Sequence, residues 1–128
     1  MRDSKLDILF EPLEMPNLTL KNRFFMAPMG TSFDMEHLTD YFVARAKGEV
    51  AMIHTAEISV HQSGRAGVEP EPRLETDDNI KDFLPLVEAI HKYDCKIIAQ
   101  LNHAGRYSPG RLLGQQSVAP SAIASRYT

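Results

Sequence analysis

The chain has 128 residues, 43% hydrophobic and 24% charged, which is the balance of a soluble globular domain with a core of its own. A net charge of -3 and a pI near 5.9 leave no basic surplus for a phosphate backbone, which argues against nucleic acid as a partner. The single Cys95 excludes an internal disulfide and reads as a small buried apolar side chain. Residues 1–7 lack the apolar core of a secretory signal, and no apolar run is long enough to span a membrane, so the cytoplasm is expected.

Residues 1–7 are polar and expected to fray. Ile8-Leu-Phe-Glu-Pro-Leu13 and Leu18-Thr-Leu-Lys-Asn-Arg23 flank a Pro16-Asn17 turn signal, which predicts a β-hairpin lid over residues 8–23. Phe24-Phe-Met-Ala-Pro-Met29 is apolar throughout. It predicts a buried strand whose end is marked by Pro28, because proline cannot donate to a ladder. Leu38, Tyr41, Phe42, Arg45 and Ala46 recur at helical spacing and predict a helix from about Thr39 to Lys47, stopped by Gly48. Val50-Ala-Met-Ile-His54 predicts a second buried strand, ending in Thr55-Ala-Glu57.

Residues 61–78 carry Gly64, Gly67, Pro70, Pro72 and many charges, the signature of a long loop, a type that is usually functional or mobile. Ile80, Phe83, Leu84, Val87, Ile90 and His91 mark a second helix, with Asp77 or Asp78 as its cap. Pro85 predicts that its regular part starts near Leu84, after one distorted turn.

A third strand follows in Lys96-Ile-Ile-Ala-Gln-Leu-Asn-His-Ala-Gly-Arg106. Its apolar residues Ile97, Ile98, Ala99 and Leu101 suit a buried strand of a parallel sheet. Gln100 interrupts the run, and Asn102, His103, Gly105 and Arg106 turn it into a polar loop. A buried strand that becomes polar at its C-terminal end is the mark of a binding site at the mouth of an α/β barrel. Residues 24–106 thus read as three strands and two helices in right-handed βαβ order, and residues 107–128 as loop.

Gln100 is the leading binding candidate, because a buried amide with donors and acceptors needs a partner. The competing explanation is an amide satisfied by neighbouring backbone. His37, His54, His61 and His91 show no metal-ligand spacing, and no metal is assigned. A metal-dependent hydrolase barrel would need a His/Asp cluster at strand ends, and His54 is the only histidine within a predicted strand. Neither a Walker motif nor a dinucleotide fingerprint occurs.

Leu9-Phe-Glu-Pro-Leu13, Asn17-Leu-Thr-Leu-Lys-Asn-Arg23, Met26-Ala-Pro-Met-Gly-Thr31, Gln100-Leu-Asn-His-Ala-Gly-Arg106 and Val118-Ala-Pro-Ser-Ala122 follow one another at family spacing. Together they resemble the N-terminal part of the Old Yellow Enzyme family, FMN-dependent NAD(P)H oxidoreductases on a TIM barrel with an N-terminal hairpin. The similarity runs from about Leu9 to Ser121. Its flavour is that of the multidomain branch with dienoyl-CoA reductases, enoate reductases, bile-acid dehydroxylation enzymes and trimethylamine dehydrogenase.

A full (β/α)8 barrel takes about 250 residues, so residues 1–128 are expected to be a single partial domain, the N-terminal segment of such a barrel. The resemblance implies an ene-reductase: NAD(P)H reduces FMN, and hydride passes to the activated C=C of a small enone or enoyl substrate. Gln100 would hydrogen-bond the pyrimidine edge of the flavin. The backbone of Ala27, Pro28, Met29 and Gly30 would lie against the ring, and Glu57, at a position often small in relatives, would reach the cofactor edge. Gly30 stands where some relatives carry a Thr or Cys that tunes or bonds the flavin, so that function is absent. His103, Arg106, Asn22 and Arg23 are expected to be structural.

The residues gripping substrate and the FMN phosphate belong to later strands of the family's barrel, so no catalytic residue is assigned. Any iron–sulfur cluster or second flavin would belong to further C-terminal domains. The alternative expectation is a truncated, non-catalytic piece that forms a homo-oligomer or needs the rest of the barrel, since exposed sheet edges are adhesive.

Overall fold

A computed structural model describes residues 4–67 and 70–126. The chain enters through a 3-10 helix, Ser4–Phe10, where the sequence suggested fraying up to residue 7; residues 1–3 lie outside the described residues. An antiparallel hairpin follows, β1 (Leu13–Met15) with β2 (Leu18–Leu20), in the register Leu13↔Leu20 and Met15↔Leu18. Pro16 and Asn17 form its two-residue turn, as their turn chemistry requires. Residues 8–10 are therefore helical rather than part of a strand.

Three parallel strands come next, β3 (Phe25–Met26), β4 (Met52–Ser59) and β5 (Lys96–Asn102), in the spatial order β3-β4-β5. Helices α1 (Met35–Lys47) and α2 (Ile80–His91) make the crossovers. This is the α/β partial barrel expected. Register sorts the side chains: Met26, Ile53 and Ile97 are neighbours on one face, and Phe25, Met52 and Lys96 on the other. The first face meets the helices. There Leu38, Phe42 and Ala46 of α1, Ile53, Cys95, and Leu86 and Ile90 of α2 form the core, with Met26 and Ile97 packed against it. Each large apolar side chain fully buried in this way contributes about 1.5–3 kcal/mol. Burial also pushes the Cys95 thiol above its ordinary value, so it is inert as its sequence context suggested.

The opposite face differs from expectation. Strands β3 and β5 were read as buried on both sides, yet on that face Phe25 is 50% exposed and Ile98 43%, and on the helix-side face Leu101, at the end of β5, is 63% exposed. Three strands of a barrel cover only their outer face with helices, and no described residue lies across the interior from Phe25 or Ile98. Strand β3 is also shorter than the run Phe24–Met29. Its pairing stops at Met26, one residue before Ala27-Pro28, and residues 27–30 continue as exposed loop.

Helix α1 begins four residues earlier than the apolar spacing indicated, because Asp34 caps it. The Asp34 carboxylate accepts from the His37 backbone N–H at 2.9 Å and lies 2.8 Å from His37 Nδ1. These contacts hold the Asp34 carboxyl below its ordinary range and raise the His37 imidazole. Gly48 is the C-cap, but Glu49, not Gly48, takes the left-handed conformation at φ 69°.

Helix α2 starts at Ile80, not near Leu84. A 3-10 turn, Asp77–Asn79, leads into it, and Asn79 Oδ1 accepts from the backbone N–H groups of Glu75 and Thr76; neither Asp77 nor Asp78 caps. Pro85 is tolerated inside the helix because it would have bonded the carbonyl of exposed Lys81, which water can satisfy. Asn22 is structural as expected: it is buried, donates to the Glu49 carbonyl at 2.7 Å and accepts from the Phe24 N–H at 2.9 Å.

Candidate functional site

Strand β4 runs two residues past the expected end at Glu57, to Ser59, and it is not regular. His54 pairs with Ile98 and Glu57 pairs with Gln100, so three steps along β4 match two along β5. This β-bulge shifts the alternation. Ile98 and Gln100 share a face of β5, so their partners His54 and Glu57 share it on β4, although three residues separate them. Without the extra residue Glu57 would face the helices.

Thr55 holds the bulge. Its hydroxyl accepts from the Gln100 backbone N–H at 3.0 Å and donates to the Ala56 carbonyl at 2.8 Å. The backbone of Gln100 is thereby fixed, while its half-buried side-chain amide makes no hydrogen bond to any described residue. Among the described residues no backbone group satisfies this amide at the strand's C-terminal end.

Gly30 completes the row. A side chain there would begin 3.6 Å from Glu57 Oε1 and 3.9 Å from Oε2, so the carboxylate lies over the Gly30 backbone. Gly30, Glu57 and Gln100 thus line up across the C-terminal ends of β3, β4 and β5. Ala27, Pro28 and Met29 lead to Gly30 along an exposed segment, and Met29 is 53% exposed.

Beyond this row, two loops are tied together by residues that carried no sequence signal as a group. The His103 ring rests on Gly64, and the Ala104 N–H donates to the Gly64 carbonyl at 2.7 Å. His103 Nδ1 accepts from the Gly105 N–H at 3.1 Å, so its proton sits on Nε2, which lies 3.2 Å from Ser63 Oγ. Ser63 Oγ in turn lies 2.8 Å from His61 Nδ1, which also accepts the Ser63 N–H. His103 is therefore a loop clasp, the architectural role expected of it. The Arg106 guanidinium sits 5.4 Å from the centre of the Tyr107 ring.

The loop after β4 is built rather than loose. Arg65 forks onto Glu75 with two bonds of 2.7 Å, and Ser59 Oγ adds a third at 3.3 Å. The guanidinium holds the Glu75 carboxyl below the usual carboxylate range, and Glu75 raises Arg65. Ser59 bridges to Arg73 in parallel, so the loop returns alongside β4. Among the described residues no group of histidine, cysteine and carboxylate ligands could hold a metal ion, and no helix is long and apolar enough to cross a membrane.

The NADH:flavin oxidoreductase / NADH oxidase family model matches residues 8–127. The chain is 38% identical over 122 residues to an NADH oxidase of Thermoanaerobacter brockii, covering 90% of this chain and 19% of that protein. Its structure resembles 6-hydroxypseudooxynicotine amine oxidase from Pseudomonas geniculata N1 at a TM-score of 0.89 and 29% identity, covering 100% of this chain and 20% of that one. It also resembles the old yellow enzyme homologue from Zymomonas mobilis at a TM-score of 0.79 and 32% identity, covering 90% of this chain and 33% of that one. The chain thus spans a third or less of the length of each of these proteins. With its hairpin and three parallel strands forming part of a TIM barrel, the chain belongs to the NADH:flavin oxidoreductase / NADH oxidase family.

Proposed function

We propose that the chain is the N-terminal part of an FMN-dependent NAD(P)H oxidoreductase of the ene-reductase type, and that its single partial barrel domain supplies one side of the cofactor site. The observation that carries this reading is the open amide of Gln100, held beside Glu57 at the mouth of the sheet. The flavin pyrimidine edge has an N–H between two carbonyls, and a side-chain amide complements such an edge with one donor and one acceptor. The residues present therefore fit the group. Gln100 would bind that edge, the exposed backbone of Ala27, Pro28, Met29 and Gly30 would lie against the ring, and Glu57 would stand at its margin.

FMN, when bound, supplies hydride exchange between NAD(P)H and the activated C=C of a small enone or enoyl substrate. This chain's residues would orient the ring at that edge. A cytoplasmic location is part of this proposal; among the described residues no helix is long and apolar enough to cross a membrane.

The exposed inner residues Phe25 and Ile98 favour a second reading, in which these strands act only when the interior is closed by further strands or by a second copy. The visible absorption spectrum of the purified chain, taken before and after adding FMN and desalting, separates the two. Retained flavin supports a working half-site. Complete loss of flavin overturns the claim that these residues suffice to hold it.

A further inference from the structure

The loop after β4 and the loop after β5 are fastened to each other through two histidines, each used as a hydrogen-bond acceptor. His61 Nδ1 accepts from the Ser63 N–H at 3.2 Å and lies 2.8 Å from Ser63 Oγ. His103 Nδ1 accepts from the Gly105 N–H at 3.1 Å, which leaves the His103 proton on Nε2, 3.2 Å from Ser63 Oγ. A hydroxyl has one proton to give. Ser63 Oγ therefore accepts from His103 Nε2–H and donates to His61 Nδ1. The chain His103–Ser63–His61 runs in one direction and requires both rings to be neutral.

Acid breaks it at both ends. A second proton on His61 takes Nδ1 away from the Ser63 N–H and hydroxyl, and one on His103 sets an Nδ1–H against the Gly105 N–H. Both imidazoles are exposed, so solvent protons reach them. The charged groups on the segments that meet here offer the imidazolium forms no spare carboxylate. Glu75 is held by the Arg65 fork and by Ser59 Oγ, and Glu71 by the N–H groups of Ala66 and Gly67. The cations are Arg65 beside Gly64, Arg73 in its bridge to Ser59, and Arg106 beside Gly105. Arg111 belongs to the segment that Gln115 Nε2 ties to the Gln62 carbonyl at 2.5 Å.

We propose that this pair of imidazoles is a pH-operated latch, which holds the two loops together when neutral and releases them when protonated. Imidazole gains its proton between about pH 8 and pH 5. The fastened state holds fewer protons than the released one, so the latch strengthens as pH rises through that range and is lost as pH falls. The bond from the Ala104 N–H to the Gly64 carbonyl, 2.7 Å long beside the His103 ring, goes with it. Gln100 and Asn102 end β5 just before His103, so release loosens the mouth next to them while the pairing of β4 with β5 persists. The latch belongs to the two loops and is independent of the cofactor reading.

The test is amide hydrogen exchange of the 15N-labelled chain by NMR between pH 8 and pH 5, expressed as protection relative to an unstructured peptide at the same pH. The histidine ring protons are titrated in the same samples. Protection at Ala104 and Gly105 should fall about tenfold, the loss of one or two neutral hydrogen bonds, while the amides within β4 and β5 keep theirs. The midpoint of the fall should coincide with the titration of the His61 or His103 ring. His61→Asn combined with His103→Asn supplies a non-titrating oxygen that accepts from the N–H two residues on, as each Nδ1 does. Protection in that variant should be independent of pH. Equal protection at pH 8 and pH 5 in the parent chain, a fall that follows the ring of His37, His54 or His91 instead, or a fall that persists in the double variant overturns the proposal. The coincidence of midpoints in the unaltered chain decides this even if the variant misfolds.

Discussion

Glu57 and Gln100 are register partners on adjacent parallel strands, and they share a face only because β4 carries one more residue than β5 between His54 and Glu57. Gln100→Glu would set two carboxylates side by side. Like charges on paired strand positions cost about 0.2–1 kcal/mol. The new carboxyl would have its folded-state pKa raised, so the penalty is present above the carboxylate range and vanishes as pH falls to about 4. Urea midpoints of Gln100→Glu and the parent chain should therefore differ near pH 7 and converge near pH 4. A deficit of equal size at both values would mean that the two side chains diverge.

Gln100→Ala tests the cofactor role of the same residue without disturbing its strand. The Gln100 N–H bond to Thr55 Oγ1 belongs to the backbone and survives the substitution. Two lost amide bonds at about 0.5–1.5 kcal/mol each predict FMN retention weakened at least about fivefold. Flavin fluorescence quenching measures it, with the thermal midpoint within about 1 °C of the parent. Unchanged affinity would remove Gln100 from the cofactor site.

The position of Gln100 at the C-terminal end of β5 was legible because the amide closes a β-branched apolar run and the loop that follows is polar. The order of strands and helices was legible for the same reason, since each apolar run has its own period. The bulge left no trace, because Thr55-Ala56-Glu57 breaks neither the apolar pattern nor the strand propensity. Asp34 was passed over as a cap since it lies in a polar stretch four residues ahead of Leu38, the first core position. Burial of β3 and β5 was overestimated because apolar runs report what a completed barrel would bury. Three strands expose what the missing ones would cover.

Gly64 is required by contact, since a Cβ there would overlap the His103 ring. Its φ is not in the left-handed region, so the cost of Gly64→Ala is one of space: the ring must leave its bonds to Ser63 Oγ and the Gly105 N–H. Overpacking of this kind costs about 1–3 kcal/mol. His103→Ala in the same chain vacates the space, so the double variant should be less destabilised than the sum of the singles. Additive losses in chemical denaturation would show that Gly64 and His103 are not in contact.

The Arg65–Glu75 fork gives the chain a stability step at acid pH. Arg65 and Glu75 side chains are 23% and 16% exposed, so solvent screens the pair only partly. Glu75 has its folded-state pKa lowered, first by the Arg65 hydrogen bonds, from an ordinary value of 4.5. A carboxyl depressed in this way contributes its full stabilisation above the unfolded value and loses it as pH falls through the folded one. Arg65 is raised and stays charged throughout, so it adds no step of its own. The parent chain should lose stability progressively below about pH 4.5. Glu75→Gln should cost about 1–3 kcal/mol at neutral pH, the value of charge-assisted bonds, and should flatten that part of the profile. Denaturation midpoints from pH 7 down to pH 3 distinguish the cases. If Glu75→Gln keeps the parent's acid slope, the proton uptake that weakens the fold occurs at other carboxylates, and the fork fastens the loop after β4 without coupling it to pH.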